Sequence, residues 1–590
     1  MAEVIRKCSY PTCEKYINQP YDSDFCIYHA SKKTKGLSVE AFNRLIAAQL
    51  RRKDFNFKGY IFPGEIAFPK NEEARFSQNA KFTRAQFLES VKFNNAYFTG
   101  YADFRGTQFF GSADFRDAYF ERLAVFNKAR FYKTTVFDRS HFNGDADFLF
   151  ASFNASLMFR DARFCEDVNF DSAEFNKNVE FNRAGFLKNS SFHGCKFNEN
   201  ISVEKAVFGG NAEFHKTQFA ADVIFKETEF LAPVSFNDSQ FYGETHLVNL
   251  SIKDDIIFNR IKLQNNCIFK MSSPRFSSKP EKPRIVKFSN IIFNPDKTFF
   301  EDFNWHEKAS ENDFNTIVLF RYCNLKNAVF FNNDLGLFSF FNSTFDQARF
   351  ISNSWQNEKS TWLPFETRRN IMLDEILFTR LKDRTGTLKA HFEDTYQLLH
   401  LDSYGIIAGL YQRMKTALDN NKDYLDAGWF HFNELEMRRR MLKETLKRKR
   451  FSESFPERLH FHLLGAYRIF AGYGEKPLRS FTWFMFFAVF FFPVVHVMNG
   501  FAAKSGNLIQ TLKFMNTDIS FLVKSETLQH FFYAVSFSFY RLIPVDYLPL
   551  NYVNPPDGPL GLFWSFLNTA VLLIMTALTI VGLKNHFRRF

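Results

Sequence analysis

The chain has 590 residues, 75 Lys and Arg against 63 Asp and Glu, and a formal net charge of +12 at pH 7. That length exceeds a single domain, and seven cysteines in a chain expected to be largely cytosolic argue against a disulfide framework. The first ten residues, MAEVIRKCSY, have no apolar core, so no cleaved signal peptide is expected.

The segment CSYPTCEKYINQPYDSDFCIYHA (8–30) sets Cys8, Cys13, Cys26 and His29 in the order C-x4-C-x12-C-x2-H. Two pairs of soft ligands separated by about a dozen residues suit a tetrahedral structural zinc site. A segment this short cannot fold on buried area alone, so bound zinc would supply its stability. All four positions are filled by side chains, which leaves none open for catalysis. A zinc-binding module is therefore expected over 1–35. A capping helix and irregular lead-in should follow over 36–75, where SVEAFNRLIAAQLRRK (38–53) is amphipathic with Ser38 as N-cap.

From Phe82 the sequence keeps a rhythm that neither helix nor strand requires: Phe at 82, 87, 93, 98, 104, 109 and onward to 241, in alternating steps of five and six. Thirty slots in phase are all Phe except Val203. Two residues before most of them sits a small residue, such as Ala85, Ala96, Ala102 or Ala113. The unit is small-x-Phe-x-x, with one residue added at every second copy. One large and one small inward residue per five describe one short side of a coil stacked on its neighbours like parallel strands, roughly 4.8 Å apart. Four sides make about 22 residues per coil, hence eight to nine coils between 82 and 269. The pattern resembles the pentapeptide-repeat family, which implies a right-handed quadrilateral β-helix. It departs from uniform fives in running as eleven-residue double units. The Phe are read as core, and Cys165, Cys195, Cys267 and Cys323 as small core or turn residues. Residues 71 to 270 hold 24 Lys and Arg against 26 Asp and Glu, so the rod is close to neutral and lacks the anionic surface that mimicry of duplex DNA requires.

Beyond 270 the rhythm loosens at SSPRFSSKPEKPR (272–284) and NPDKTFFEDFNWHEKASEND (294–313), then resumes in fragments to about 352. The β-helix is assigned to 76–352 with these insertions, and caps are expected at its ends. A cytoplasmic helical linker is assigned to 353–479. Within it, GLYQRMKTALDNNKDYLDAGWFHFNELEMRRR (409–440) reads as two amphipathic helices joined near Asn420 and Asp423, with Tyr411, Met414 and Leu418 facing Tyr424, Ala427, Phe430 and Phe432.

Two membrane spans are expected in 480–590. Residues 481–498 and 560–583 contain no Asp, Glu, Lys or Arg, and eighteen helical residues cover about 27 Å, just enough for a hydrocarbon core. Basic residues crowd before the first span, in MRRRMLKETLKRKR (437–450) and at Arg458, Arg468 and Arg479, and after the second, in LKNHFRRF (583–590). Both termini should therefore be cytoplasmic. The collar implies membrane lipid as a partner, and nucleic acid is not expected. His496, inside the first span, is read as an inward polar or packing residue, with a gating or proton role as the alternative.

Between the spans, LQHFFYAVSFSFYRLIPVDYLPL (528–550) carries Ser536, Ser538, Arg541 and Asp546. It is too short to cross and return as helix, so it is read as a re-entrant segment, tolerated at membrane depth only where it is packed in protein or lines water. Span, re-entrant helix and span resemble the plan of two-transmembrane pores. The Thr-x-Gly-Tyr-Gly run of potassium filters is absent, with RLIPVDYLP in its place, so potassium selectivity is not carried over. The hairpin ending in Glu-Met-Arg-Arg, and GYGEKPLRS (472–480) after it, resemble the pre-pore segment of bacterial pentapeptide-repeat proteins of the ion-channel type.

The resulting fold class is multidomain: a quadrilateral β-helix, a cytoplasmic helical hairpin and a two-helix transmembrane domain with a re-entrant segment. There is no Gly-rich phosphate loop and no His-Glu-x-x-His, so an enzyme is not expected. The first reading of function is a gated pore in the bacterial inner membrane, with rod and zinc module sensing a cytoplasmic ligand or protein. Two spans cannot enclose a pore, so this reading demands a homo-oligomer, with four chains favoured. A non-selective opening would serve depolarisation, as in antiphage suicide systems. The alternative is a membrane-anchored scaffold without conduction, whose rod is a binding surface.

Overall fold

The computed structural model describes residues 6–11, 13–15, 17, 24–33, 35–68, 75–270, 284–293, 298–303, 316–362, 365–380, 393–449, 454–498, 526–540 and 559–587, with short strands at 502–503, 513–514, 517–518 and 553–554. Two compact units emerge: 1–358 with 371–388, and 359–370 with 389–590.

The first unit is a β-solenoid of about twelve turns. Its strands are mostly two residues long and fall into four parallel sheets of 10, 8, 12 and 13 strands. Between Ala80 and Lys270 the register is a 22-residue step: Ala124 pairs with Ala102 on one side and Ala146 on the other, and Arg130 with Gln108 and Ser152. In two sheets the inward strand residue is the small one, as in Ala102–Asp103, with Phe104 just behind it. In the other two it is the Phe itself, as in Gln108–Phe109. Phe104, Phe126 and Phe148 stack face to face at 4.8 Å, the spacing of adjacent strands. Rings eleven residues apart meet edge-on, as Phe104 and Phe115 do at 5.6 Å and 88°. Coil pitch imposes the stacking, and the edge-on contacts between columns are the geometry that aromatic quadrupoles favour.

The alternation of five and six comes from two kinds of corner. Each five-residue step holds a left-handed residue two places after its Phe. Arg84, Asn95, Gly106, Asp117, Lys128 and Arg139 form such a series at φ between +55° and +63°. Most are not glycine, at a cost of about 1–2 kcal/mol each. Their N–H groups reach the next coil, as from Asp117 to the Asp138 carbonyl at 3.0 Å. The six-residue corner bends without a left-handed residue.

The solenoid begins earlier than the 76 boundary. Ile61–Phe62 pairs with Gln86–Phe87 and Ile66–Ala67 with Val91–Lys92, and Phe57, Phe62 and Phe68 are fully buried. Their spacing already follows the five-and-six rhythm; only the offset before Phe76 hides it. Helix α1 (Val39–Arg51), capped by Ser38 Oγ accepting from Ala41 N–H, sits over this end with Phe42 edge-on to Phe62 at 5.8 Å. At the other end lies helix α2 (Leu373–Arg380). Its buried Asp374 accepts from the Phe340 N–H at 3.0 Å, and Phe378 packs on Phe341.

The second unit is helical, but its start corrects the expected all-helical linker: 356–362 and 365–371 form a two-stranded sheet. Strands are favoured here because the chain leaves a parallel solenoid and Asn370 and Arg369 are held by side chains of the hairpin. That hairpin is α3 (Glu393–Asn420) and α4 (Tyr424–Arg448), turned at Lys422, φ +62°. Tyr411, Met414, Leu418, Ala427 and Phe430 are buried between them. Phe432, expected on that face, instead meets Tyr473 edge-on at 5.1 Å. Next come α5 (Phe455–Ala471), α6 (Pro477–Met498), α7 (Glu526–Tyr540) and α8 (Pro559–Phe587). Helix α6 widens into a π-helical stretch at Phe486–Phe491 just before Pro493, where the missing proline N–H breaks the regular ladder. Helices α6 and α8 are long and apolar enough to cross a membrane, and only 22% of the apolar 18-residue window in each is buried.

Candidate metal centre and membrane segment

Cys8, Cys13, Cys26 and His29 converge with their ligand atoms all within 4.8 Å of one another. His29 Nδ1 lies 3.5 Å from Cys8 Sγ and 3.2 Å from Cys26 Sγ, and Cys13 Sγ lies 3.9 Å from Cys26 Sγ. A tetrahedral ion with metal–sulfur bonds of 2.3 Å and a metal–nitrogen bond of 2.0–2.1 Å needs separations of about 3.8 and 3.5 Å. The cluster fits. Its orientation is fixed from behind: His29 Nε2 is 2.9 Å from the Lys58 carbonyl, so that nitrogen carries the proton and Nδ1 is left to bind. Burial lowers the ring's proton affinity, which keeps it neutral. Tyr10 stacks on the ring at 4.1 Å, and Gly59, φ +69°, leaves room for Tyr10 where any Cβ would collide with it. Burial pushes the Cys26 thiol up to about 12, so a bound cation is what would hold it as thiolate. Buried Lys35 donates to the Ile27 and Tyr28 carbonyls, and burial brings its ammonium down to about 7, so near neutral pH it is only partly charged.

In the second unit a cluster of charged and hydrogen-bonding groups gathers at the elbow joining the hairpin to α6. Gly472, Tyr473 and Gly474 are consecutive left-handed residues, at φ +54°, +58° and +80°. The Tyr473 hydroxyl donates to Glu436 at 3.1 Å. Glu436 also pairs with Arg439 at 2.9 Å, Arg440 at 3.2 Å and Arg468 at 3.6 Å. Burial alone would raise this carboxyl, but the Arg439 hydrogen bonds and the three guanidinium charges outweigh it and hold it at about 2. Asn585, near the end of α8, donates to the Gly474 carbonyl at 3.1 Å. A cleft of about 120 Å³ opens beside it, lined by Lys415, Asp419, His431, Glu475 and Asn585 among others. The charge run Glu-Met-Arg-Arg-Arg was visible in the sequence as a motif, but nothing in it showed that Arg468 and Tyr473 close the cluster.

His496 is fully buried, 3.2 Å from the amide nitrogen of Asn568 on α8 and edge-on to Phe537 of α7 at 5.3 Å. Asn568 was missed, although an amide inside an apolar span is itself a signal of a polar contact between helices. Ser538 is buried and Ser536 half-buried on α7. Phe539 of that helix meets Phe484 at 6.0 Å. Arg541 and Asp546 lie outside the described residues.

The family described as pentapeptide repeats (9 copies) matches at residues 72–118, 93–140, 181–229 and 204–251. These stretches fall within the four-sheet rod. No curated protein and no solved structure matches the chain.

Proposed function

We propose that this chain is one subunit of a gated membrane pore, with both termini cytoplasmic, the rod and a zinc-loaded Cys8/Cys13/Cys26/His29 module as sensor, and the elbow at Glu436 and Tyr473 as transmission. The observation that carries this reading is the placement of α7. Phe484 lies fourteen residues from Met498 at the far end of α6, about 21 Å along a helix. A helix from the inter-span loop that touches Phe484 through Phe539 therefore runs well inside the depth of the span. An anchor needs no such helix, whereas a pore does. On this reading α7 is the inner wall, and the residues after it return to Pro559. Several copies around an axis, four on the simplest symmetric plan, would complete the opening. On this reading Arg541, two residues beyond Phe539, is the fixed cation of the conduction path, and Asp546 is the partner proposed for it, since a charge at membrane depth must face water or a partner. The polar cleft at Lys415 and Asp419 is where a cytoplasmic ligand would act on the elbow. A metal bound at the N-terminal cluster would supply fold stability there, with no chemistry.

Reconstitution in planar bilayers tests the proposal. In a salt gradient Arg541→Glu should shift the reversal potential towards cation preference while oligomer and expression stay unchanged. An unmoved potential would remove Arg541 from the conduction path. Absence of current from a well-folded oligomer, with any cytoplasmic extract added, would favour a membrane-tethered scaffold.

A further inference from the structure

Helix α5 presents two faces that differ in partner. On one, Arg439 of α4 lies over the Phe461 ring at 5.4 Å and Arg468 reaches Glu436 at 3.6 Å, so this face is packed against the hairpin. On the other, Phe455, Leu459 and Leu463 are 62%, 51% and 59% exposed. They recur at every fourth position, so they form a single stripe along the helix. Three large apolar side chains aligned and open are not the scattered exposure of an ordinary soluble surface. The stripe continues to Phe470, which meets Trp483 edge-on at 5.3 Å and Phe487 at 6.1 Å on the first turns of α6. There it joins the exposed apolar surface of that helix, where Leu478, Phe481, Phe486 and Phe490 are 76%, 48%, 42% and 61% exposed. Between 437 and 480 the chain carries twelve Lys and Arg against four Asp and Glu.

We propose that α5 lies in the plane of the membrane surface, its Phe455–Leu459–Leu463 stripe sunk to the boundary between headgroups and acyl chains of an anionic bilayer. Two observations select a lipid surface over a protein partner. The stripe is continuous with the apolar surface of α6, and the excess of basic residues around it complements anionic headgroups. The αL elbow at 472–474 turns the chain from this plane into the span. Because Arg468 of the same helix holds Glu436, displacement of α5 in the interface moves the Glu436 cluster and the foot of α6 together. The inference rests on α6 crossing the membrane.

The test uses the full chain in nanodiscs of phosphatidylcholine with and without phosphatidylglycerol, with a photocrosslinking benzoylphenylalanine placed singly at 459, 463, 457 or 490. Adducts to lipid are read by mass spectrometry. Positions 459 and 463 should give several-fold more lipid adduct than 457, which lies on the opposite side of the helix. Their yield should rise several-fold when phosphatidylglycerol is present. Lipid adducts at 490 without any at 459 and 463 would overturn the interfacial helix and leave the span intact. No lipid adduct even at 490 would instead overturn the span itself. Protein adducts at 459 and 463 would make this face a contact between chains, and yields indifferent to phosphatidylglycerol would sink the anionic surface.

Discussion

The rod and the helical unit hold themselves together in opposite ways. In the rod every contact is repeated. Phe148 stacks on Phe126 and Phe170 at 4.8 Å each, just as Phe104 stacks on Phe82 and Phe126, and no single position is special. Stability is then a sum over neighbouring coils. In the helical unit the decisive contacts occur once: the Glu436 cluster, the three left-handed residues at 472–474, and the His496–Asn568 pair. A stacked rod is stiff and transmits displacement of its end. A joint made of one buried carboxylate and a run of left-handed residues rests on a few contacts, so loss of any one of them disturbs the whole joint.

Breaking the smallest piece of the rod's end should have the largest effect. Purified protein is expected to carry about one zinc per chain, and Cys26→Ser should abolish it, with the first forty residues losing hydrogen-exchange protection while the coils keep theirs. Stoichiometric zinc in that variant, measured by plasma emission, would mean that other ligands hold it. Next in size is Phe148→Ala, with a cavity costing about 3–5 kcal/mol. Exchange should rise only in the coils on either side. A uniform rise along the rod would contradict a nearest-neighbour solenoid.

The counterpart in the helical unit is Glu436→Gln, which leaves Arg439 and Arg468 without their carboxylate. We expect a loss of about 2–3 kcal/mol, below the value for a fully buried pair because the arginines are partly solvated. Exchange should spread through α4, α5 and the elbow and spare the rod. The same group sets a pH dependence. Its carboxyl is held at about 2 against an ordinary 4.5, so its contribution is complete above 4.5 and disappears as pH falls towards 2. Acid unfolding of the helical unit in the glutamine variant should lack that component. The smallest effect belongs to the rod's surface. Arg139 pairs with Asp117 one coil below at 2.8 Å, but both are open to solvent, so Arg139→Ala should leave the melting temperature unmoved in a calorimeter. A clear drop would show that charge ladders, and not rings, carry the rod.

Periodicity made the rod readable. A Phe every five or six residues admits one structure, because each ring must find the same inward environment 22 residues later, and the sequence states that spacing directly. Its early start went unread because the five-residue step due after Phe68 is stretched to eight before Phe76. The metal ligands were readable for a different reason: four soft donors at short spacings leave few other uses, and convergence of Cys8 and Cys13 with Cys26 and His29 follows from the knuckles being local. The two apolar helices followed from length and composition alone.

What only the tertiary structure decided is whatever depends on residues distant in sequence meeting once. The left-handed corners were invisible because Arg84, Lys128 and Arg139 look like ordinary polar residues; backbone closure of the coil, not side-chain identity, puts them at positive φ. Glu436 with Arg468 and Tyr473, and His496 with Asn568, are unrepeated pairings across 32 to 72 residues, and no spacing rule announces them. The sequence by itself determined the repeating core, the ligand set and the apolar spans, since each is a local or periodic demand of burial. The elbow and the contact of α7 with α6 were decided by packing, because a single buried charge or ring is placed by its neighbours and by nothing in its own stretch of chain.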